Sequence, residues 1–253
     1  MKIALIQADI SWEDVNTNLS SAQKIMDRVT DVDLYIFPEM FTTGCTIGPE
    51  HVAQPMNGTA VNWLIEQSHR RQAAIVGSMP IVEDGRYFNR MFFVKPDRTL
   101  TWYDKRHLFT YGNEHLKYTA GKERHVVEYK GIRFLLQICY DLRFPVWSRN
   151  RSDYDAAIYI AAWPEGRISV WDTLTQARAI ENQCYVFAVN RIGADQWGRY
   201  NGHTTVVDFY GNRLATCEDD VCGVLTYDLT LDKLRKFREK FPVLNDADTF
   251  TVS

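Results

Sequence analysis

Short apolar runs, repeated along the whole chain and separated by stretches with helical spacing, constrain most strongly what this sequence can fold into. In 59–72 and 170–183 the apolar residues recur on one helix face, as Leu174, Ala177 and Ile180 do in the second stretch. Ten runs are predicted as strands, at residues 3–8, 33–37, 74–79, 90–95, 100–103, 132–138, 156–162, 185–189, 204–209 and 224–228. The chain is therefore predicted to be an α/β protein.

The order of these elements predicts how the strands connect. A strand, a helix and a strand follow one another at the start of the chain and again after Cys139, which predicts parallel crossovers. Short turns at 83–86 and 96–98 predict antiparallel hairpins between the middle strands. So many strands in 253 residues are more easily housed in two stacked sheets than in one twisted sheet. The expected fold is a four-layer α-β-β-α sandwich of two mixed β-sheets, with helices outside both.

Composition supports one large core. Hydrophobic residues make up 45% of the chain and charged residues 24%, which is outside the range of disordered proteins. We find no repeat and no Pro/Ser-rich linker, so we expect a single domain over residues 1–253. A basic helix-like stretch and a polar tail, from about 234 to 253, form a candidate surface for packing on a partner subunit. We therefore expect a homodimer.

Several classes of protein are disfavoured by charge and motif content. The net charge of −3, without a block of like charges, argues against a nucleic-acid partner. The longest apolar run, 156–163, is far below the ~20 residues that cross a bilayer, and the N-terminal run is too short for a signal peptide. Five cysteines without CxxC spacing predict reduced thiols and a cytoplasmic protein. The sequence has no histidine pair with metal-ligand spacing and no GxGxxG or P-loop pattern, so we expect no metal and no organic cofactor.

Three chemically active side chains stand where predicted strands end. Cys139 closes the run 132–138, Glu39 follows the run 33–37, and Lys105 follows the run 100–103. In α/β sheets the ends of strands are where ligands and chemistry collect. Taken singly, each has a plain alternative: a small buried cysteine, a capping or salt-bridged carboxylate, and a solvated lysine.

Together the three side chains suffice to hydrolyse an amide through a thioester. A cysteine of ordinary pKa is mostly protonated at neutral pH, so a base must take its proton, and Glu39 is the candidate. Lys105 and the backbone N–H of Tyr140 are the candidate donors to the oxyanion that forms after attack. An alternative mechanism keeps Cys139 and uses His107, His115 or His203 as the base. A catalytically silent scaffold is the alternative of a different class.

Four blocks, at residues 37–41, 103–109, 112–115 and 138–145, resemble the nitrilase superfamily of carbon-nitrogen hydrolases in order and spacing. The resemblance extends from Lys2 to about Leu231. It implies that Glu39, Lys105 and Cys139 form a catalytic triad and that Glu114 is the second glutamate, near the lysine. It also implies an α-β-β-α sandwich that dimerises.

Within the superfamily, the blocks are most similar to the bacterial ω-amidase branch. That resemblance implies hydrolysis of 2-oxoglutaramate and 2-oxosuccinamate to the 2-oxo dicarboxylates and ammonia. The alternative is another hydrolase of the superfamily, acting on an N-carbamoyl group or a nitrile. The sequence departs from the family at Ala162, because an asparagine often precedes the Trp-Pro that stands here as Trp163-Pro164.

Three further residues are candidates for substrate contacts. Arg143 lies four residues after Cys139 and offers a planar fork for a carboxylate, although a local pair with Asp141 is the alternative. Tyr111 and Trp163 are candidate walls of the pocket. The expected partner is a small amide that carries an anionic group.

Overall fold

The structure is a computed structural model that describes residues 1–252. Its strands, in chain order, are β1 (Lys2–Gln7), β2 (Leu34–Ile36), β3 (Ala74–Glu83), β4 (Arg86–Val94), β5 (Leu100–Asp104), β6 (Val126–Tyr129), β7 (Ile132–Ile138), β8 (Ala156–Ala161), β9 (Tyr185–Asn190), β10 (Ile192–Asp195), β11 (Gly198–Asn201), β12 (Thr205–Val207), β13 (Arg213–Thr216) and β14 (Gly223–Asp228). Its α-helices are α1 (Val15–Arg28), α2 (Thr59–Arg71), α3 (Pro145–Ser148), α4 (Ile168–Glu181) and α5 (Asp232–Lys240). None of the helices in this part of the chain is long and apolar enough to cross a membrane.

Twelve of the strands form two six-stranded mixed sheets with the same topology. The first has the order β14-β1-β2-β3-β4-β5, and the second, taken from its other edge, has the order β6-β7-β8-β9-β12-β13. In both sheets the successive pairings are antiparallel, parallel, parallel, antiparallel and antiparallel. The chain therefore builds one sheet design twice, and β10 and β11 form a separate hairpin inserted in the second copy.

Both faces of each sheet are buried, which explains the unbroken apolar runs of the sequence. Along β1, Ile3 and Leu5 face the other sheet, whereas Ala4 and Ile6 lie in the cluster beneath α1 and α2. A third cluster packs α4 on the outer face of the second sheet, through Trp171 among others. The layers are helix, sheet, sheet and helix, as predicted for an α-β-β-α sandwich.

Element boundaries differ from the predictions where polar side chains reorganise the backbone. The run predicted at 90–95 belongs to a longer strand, β4, which begins at Arg86 after a tight turn at Asp84 and Gly85 with positive φ at both residues. The strand predicted at 204–209 covers only Thr205–Val207, because the Asp208 carboxylate accepts hydrogen bonds from backbone N–H groups two and four residues later. Strands β6, β10, β11 and β13 were not predicted.

Candidate active site

Cys139 stands at the junction of β7 and a short 3-10 turn, Cys139–Arg143, in the second sheet. Its φ of 45° lies in the left-handed region, which is unfavourable for a residue with a Cβ and is found at functional sites. The backbone N–H of Tyr140 lies in the first turn of this helix, where amides have no partner within the helix. The nucleophile candidate and a free donor are thus adjacent.

Asp141 fixes the geometry of that turn. It is fully buried, and its carboxylate accepts hydrogen bonds from the backbone N–H of Ile138 (2.9 Å), the hydroxyl of Tyr103 (2.7 Å) and the backbone N–H of His107 (3.0 Å). Tyr103 is in β5 and His107 follows that strand, so the carboxylate joins the turn after β7 to the segment that contains Lys105. The two sheets are tied together beside Cys139.

Glu39 follows β2 of the first sheet and is only 2% exposed. Its Oε1 accepts hydrogen bonds from Nζ of Lys105 (2.8 Å) and Nδ2 of Asn89 (2.8 Å). Its Oε2 accepts a hydrogen bond from the backbone N–H of Ala162 (2.9 Å), at the end of β8. At the departure from the family noted above, the contact is made by the backbone and does not require an asparagine side chain.

Lys105 follows β5 and is 3% exposed. Besides Glu39, its Nζ contacts both carboxylate oxygens of Glu114, at 3.1 and 2.9 Å. Glu114 is held in turn by the backbone N–H of Phe109 (2.6 Å) and by Nδ2 of Asn89 (3.3 Å). The lysine is therefore clamped between two carboxylates, the second of which is the glutamate that the resemblance implied.

These contacts determine the charges of the cluster. Burial by itself would raise the pKa of Glu39, but the charge and hydrogen bond of the Lys105 ammonium, together with the backbone N–H of Ala162, lower it below its ordinary value. Burial would lower the pKa of Lys105, but the carboxylates of Glu114 and Glu39 raise it well above its ordinary value. Burial and the neighbouring Glu39 carboxylate raise the pKa of Cys139 well above its ordinary value. The resting cluster thus pairs a protonated thiol with an ionised glutamate.

The cluster lies in a cavity of about 250 Å³, below the size of pockets that hold drug-sized molecules. Its volume suits a small substrate. All eight predicted site residues line the cavity: Glu39, Lys105, Tyr111, Glu114, Cys139, Tyr140, Arg143 and Trp163. The structure therefore brings the whole predicted set together, although the residues come from both sheets.

The residues predicted for substrate contact differ in their settings. Arg143 forms no ion pair with Asp141, whose oxygens have other partners, and its guanidinium lies 5.2 Å from the ring centre of Trp163. Trp163 is buried, at 3% exposure, whereas Tyr111 is 86% exposed and stands at the mouth rather than in a wall. Of the two alternatives for Arg143, the structure favours a cation that faces the cavity.

None of the three histidines considered as a base lines the cavity. His107 contacts Asp141 through Nδ1 (2.8 Å) and stacks on Phe144, and His203 lies between Asp172 and Asp219. His115 is exposed. A Cys-His mechanism therefore has no support in the geometry.

Sequence reasoning missed four features of the site. Asn89, which binds both glutamates, is a polar residue inside an apolar strand, and that pattern could have marked it. Arg167 and Cys45 also line the cavity. The β10–β11 hairpin contributes Trp197, whose indole N–H donates to the carbonyl of Cys45 (3.1 Å), and no local pattern marks a hairpin as part of a site. Within residues 1–252, no group of three His, Cys, Asp or Glu side chains is arranged to hold a metal ion.

Comparison with known proteins agrees with this geometry. The sequence profile of the carbon-nitrogen hydrolase family matches residues 2–239. The omega-amidase YafV of Yersinia enterocolitica is 43% identical over 253 residues, covering 100% of this chain and 98% of that protein. The 2-oxoglutaramate amidase of Bacillus subtilis is 32% identical over 96% of each chain.

Solved structures give the same result. XC1258 from Xanthomonas campestris, described as a CN-hydrolase superfamily protein with an arsenic adduct in the active site, has a TM-score of 0.97 and 40% identity over 100% of this chain and 99% of its own. Nit3 of Saccharomyces cerevisiae, a nitrilase-superfamily member at 24% identity, shares the fold with a TM-score of 0.87, covering 96% of this chain and 94% of its own. The profile match over nearly the whole chain, on a fold that brings Glu39, Lys105 and Cys139 to one cavity, shows that this chain belongs to the carbon-nitrogen hydrolase family.

Proposed function

We propose that this protein is an ω-amidase that converts 2-oxoglutaramate or 2-oxosuccinamate into the 2-oxo dicarboxylate and ammonia through a thioester on Cys139. The observation that carries the proposal is the buried ion pair of Glu39 with Lys105, which lines the same small cavity as Cys139, Arg143 and Arg167. The amidase activities named for the relatives support the same substrate class.

In the first step, the sulfur of Cys139 attacks the amide carbon while Glu39 accepts the thiol proton. The lowered pKa of Glu39 keeps it ionised and able to accept, and the raised pKa of Cys139 keeps the thiol protonated until the substrate arrives. The carbonyl oxygen becomes an oxyanion, and Nζ of Lys105 and the N–H of Tyr140 are its proposed donors. Because Lys105 is clamped by two carboxylates, its charge is in place before the reaction begins.

In the second step, Glu39 returns the proton to the departing nitrogen, the C–N bond breaks, and ammonia leaves a thioester on Cys139. Glu39 then takes a proton from water as the water oxygen attacks the thioester carbon. The C–S bond breaks, the thiolate sulfur takes the proton back from Glu39, and the product leaves as a carboxylic acid that gives the remaining water proton to solvent. One carboxylate therefore serves both half-reactions.

Glu114 and Asn89 are proposed to hold this machinery in place. Glu114 contacts Lys105 with both oxygens, and Asn89 contacts both glutamates. Neither needs to touch the reacting bond. Arg143 is the proposed partner of the substrate carboxylate, since a guanidinium binds that group bidentately.

We also propose a single domain, a cytoplasmic location and a homodimer, without nucleic-acid or membrane partners, metal or organic cofactor. The segment after α5 packs within its own protomer, where Nε2 of Gln183 donates a hydrogen bond to the carbonyl of Phe241 (2.7 Å). The rings of Tyr210 (59% exposed) and Phe241 (57% exposed) are nevertheless uncovered, and these support a subunit contact.

A substrate panel tests the function. Purified protein is assayed for ammonia release with 2-oxoglutaramate, an aliphatic nitrile and an N-carbamoyl amino acid at equal concentrations. We expect kcat/KM for 2-oxoglutaramate to exceed the others by at least about tenfold. A preference for the nitrile or the carbamoyl compound would assign the chain to another activity of the family. Inactivity toward all three, with no selective labelling of Cys139 by a thiol reagent, would favour the silent scaffold.

A further inference from the structure

Two arginines at the edge of the cavity share one arrangement. Both Arg143 and Arg167 line the cavity, and each guanidinium lies over an aromatic ring that lines it too. The distances to the ring centres are 5.2 Å for Arg143 over Trp163 and 5.3 Å for Arg167 over Phe109. The aromatic contacts hold both cations in place without neutralising them.

Each arginine has a carboxylate two residues earlier in the chain, and each of these carboxylates is engaged elsewhere. Asp141 binds the backbone and hydroxyl donors described above. Glu165 contacts Nη1 of Arg199 at 3.3 Å with both oxygens. Within residues 1–252, no ion pair involves the guanidinium of Arg143 or Arg167. Both cations therefore line the cavity without a counter-charge from the described part of the chain.

The acids of the cavity do not supply that counter-charge either. Glu39 and Glu114 are the carboxylates that line it, and both are bonded to Lys105. With three cations and two carboxylates, the lining carries an excess positive charge, located at the arginines. A small anion bound beside the two arginines would neutralise this excess positive charge.

The two arginines are also joined structurally. The guanidinium of Arg143 lies over the ring of Trp163. The indole N–H of the same tryptophan donates a hydrogen bond to the backbone carbonyl of Arg167 (2.8 Å). The ring is buried and therefore fixed. The side chain of one arginine and the backbone of the other are thus held by a single residue.

We propose that Arg167 is a second specificity-determining residue, which acts with Arg143 to bind the carboxylate and the adjacent 2-oxo oxygen of the substrate. This inference rests on the proposed ω-amidase function. Both substrate groups are acceptors only, and a guanidinium is a donor only, weakly hydrated and planar. An amide that lacks the anionic end would leave two cations unpaired in the cavity, which is costly.

Three amides of equal carbon number test the inference: 2-oxoglutaramate, glutaramate (the monoamide of glutaric acid) and pentanamide. We expect Arg167→Met to reduce the ratio of kcat/KM between 2-oxoglutaramate and pentanamide by at least about tenfold, which corresponds to ~1.4 kcal/mol. For glutaramate, Arg167→Met should lower kcat/KM by a factor between those for 2-oxoglutaramate and pentanamide. Glutaramate retains the carboxylate and lacks the 2-oxo oxygen. Arg167→Lys should retain part of the ratio, since it keeps the charge and loses the fork.

Arg70→Met is the matched control. Arg70 is on α2, outside the cavity, and its side chain is 49% exposed, so the ratio should stay at the wild-type value. Arg167→Met could lower kcat/KM for 2-oxoglutaramate and pentanamide by the same factor, or leave both values unchanged. Either result would show that Arg167 does not recognise the anionic end of the substrate and that the inference is wrong. If the wild-type protein still prefers 2-oxoglutaramate to pentanamide, only the inference about Arg167 fails and the proposed function is retained. If the wild-type protein hydrolyses all three amides with equal kcat/KM, both the inference about Arg167 and the proposed function are wrong.

Discussion

The bottom and the edge of the cavity satisfy their charges in different ways. We use "the floor" for Glu39, Lys105, Glu114 and Cys139, and "the rim" for Arg143, Arg167 and the rings of Phe109 and Trp163. On the floor, the lysine has two carboxylate partners and Glu39 has donors from the side chain of Asn89 and the backbone of Ala162. On the rim, the cations have rings beside them and, among residues 1–252, no carboxylate as an ion-pair partner.

The difference supports the proposed division between residues that carry out the chemistry and residues that recognise the substrate. Groups that must be oriented before the reaction are held by the protein, so little reorganisation is needed when charge develops. Groups proposed to distinguish one substrate from another keep an unpaired charge, which an anionic ligand would pair with. Changes on the floor are therefore expected to act on kcat, and changes on the rim on substrate choice.

The largest effect is expected at the nucleophile. Cys139→Ala removes the sulfur and little packing, so activity should fall by at least about 10⁴-fold while thermal unfolding stays close to that of the wild type. Intact-mass analysis of wild-type protein quenched during turnover should detect an acyl adduct on Cys139. Retention of most activity in the alanine variant would refute a covalent mechanism.

Glu39→Gln should produce the next largest loss. A glutamine cannot accept the thiol proton, and general acid-base catalysis contributes typically about 10²–10⁴-fold. Steady-state kinetics should show the loss in kcat. The control is His115→Asn, at an exposed position outside the cavity, which should retain wild-type activity. An equal loss in the control would return the histidine alternative to consideration.

Lys105→Met tests whether the floor acts on the transition state. Removal of one oxyanion donor costs about 2.7–4 kcal/mol, or roughly 10²–10³-fold in kcat. The substitution also leaves Glu39 and Glu114 without their shared cation, so unfolding should be measured in parallel. A rise in KM with unchanged kcat would show that Lys105 binds the substrate, as proposed for the rim arginines, and does not stabilise the transition state.

Arg143→Met sharpens the comparison from the other side. Since the rim acts on selection, the ratio of kcat/KM between 2-oxoglutaramate and a neutral amide of similar length should shrink by about tenfold, or ~1.4 kcal/mol. Kinetics with both amides measures the ratio directly. A common loss for charged and neutral amides would mean that Arg143 stabilises the turn after Cys139.

The smallest effect is expected at Asn89 and concerns pH. Glu39 must be ionised to accept the proton, and its lowered pKa keeps it ionised as the pH falls, so the acid limb of kcat/KM should lie below the ordinary range of glutamate. Asn89→Leu removes a donor to the ionised carboxylate, which raises the pKa of Glu39 and moves the acid limb to higher pH. An unchanged limb in a folded variant would show that Lys105 and the backbone alone set the pKa.

The sequence marked Glu39, Lys105 and Cys139 of the floor as candidates because that information is local. Each of Glu39, Lys105 and Cys139 stands where an apolar run stops, and the stop is visible in the sequence. The two-faced burial of the strands likewise follows from runs such as 156–162, which have no polar alternation. Family blocks added Glu114, which no local pattern marked.

Strands β6, β10, β11 and β13 escaped prediction because each is only four residues long and all but β6 alternate with polar or glycine residues. Their pairing is set by the neighbouring strand rather than by their own propensity.

Only the tertiary structure decided which partner each charged group has. Asp141 could have paired with Arg143, two residues away, but it binds groups from β5 and the segment after it. Ala162 and Asn89 meet Glu39 from opposite sheets. Contacts between residues far apart in the chain depend on how two sheets stack and where their strand ends meet, and no periodicity within a single strand carries that information.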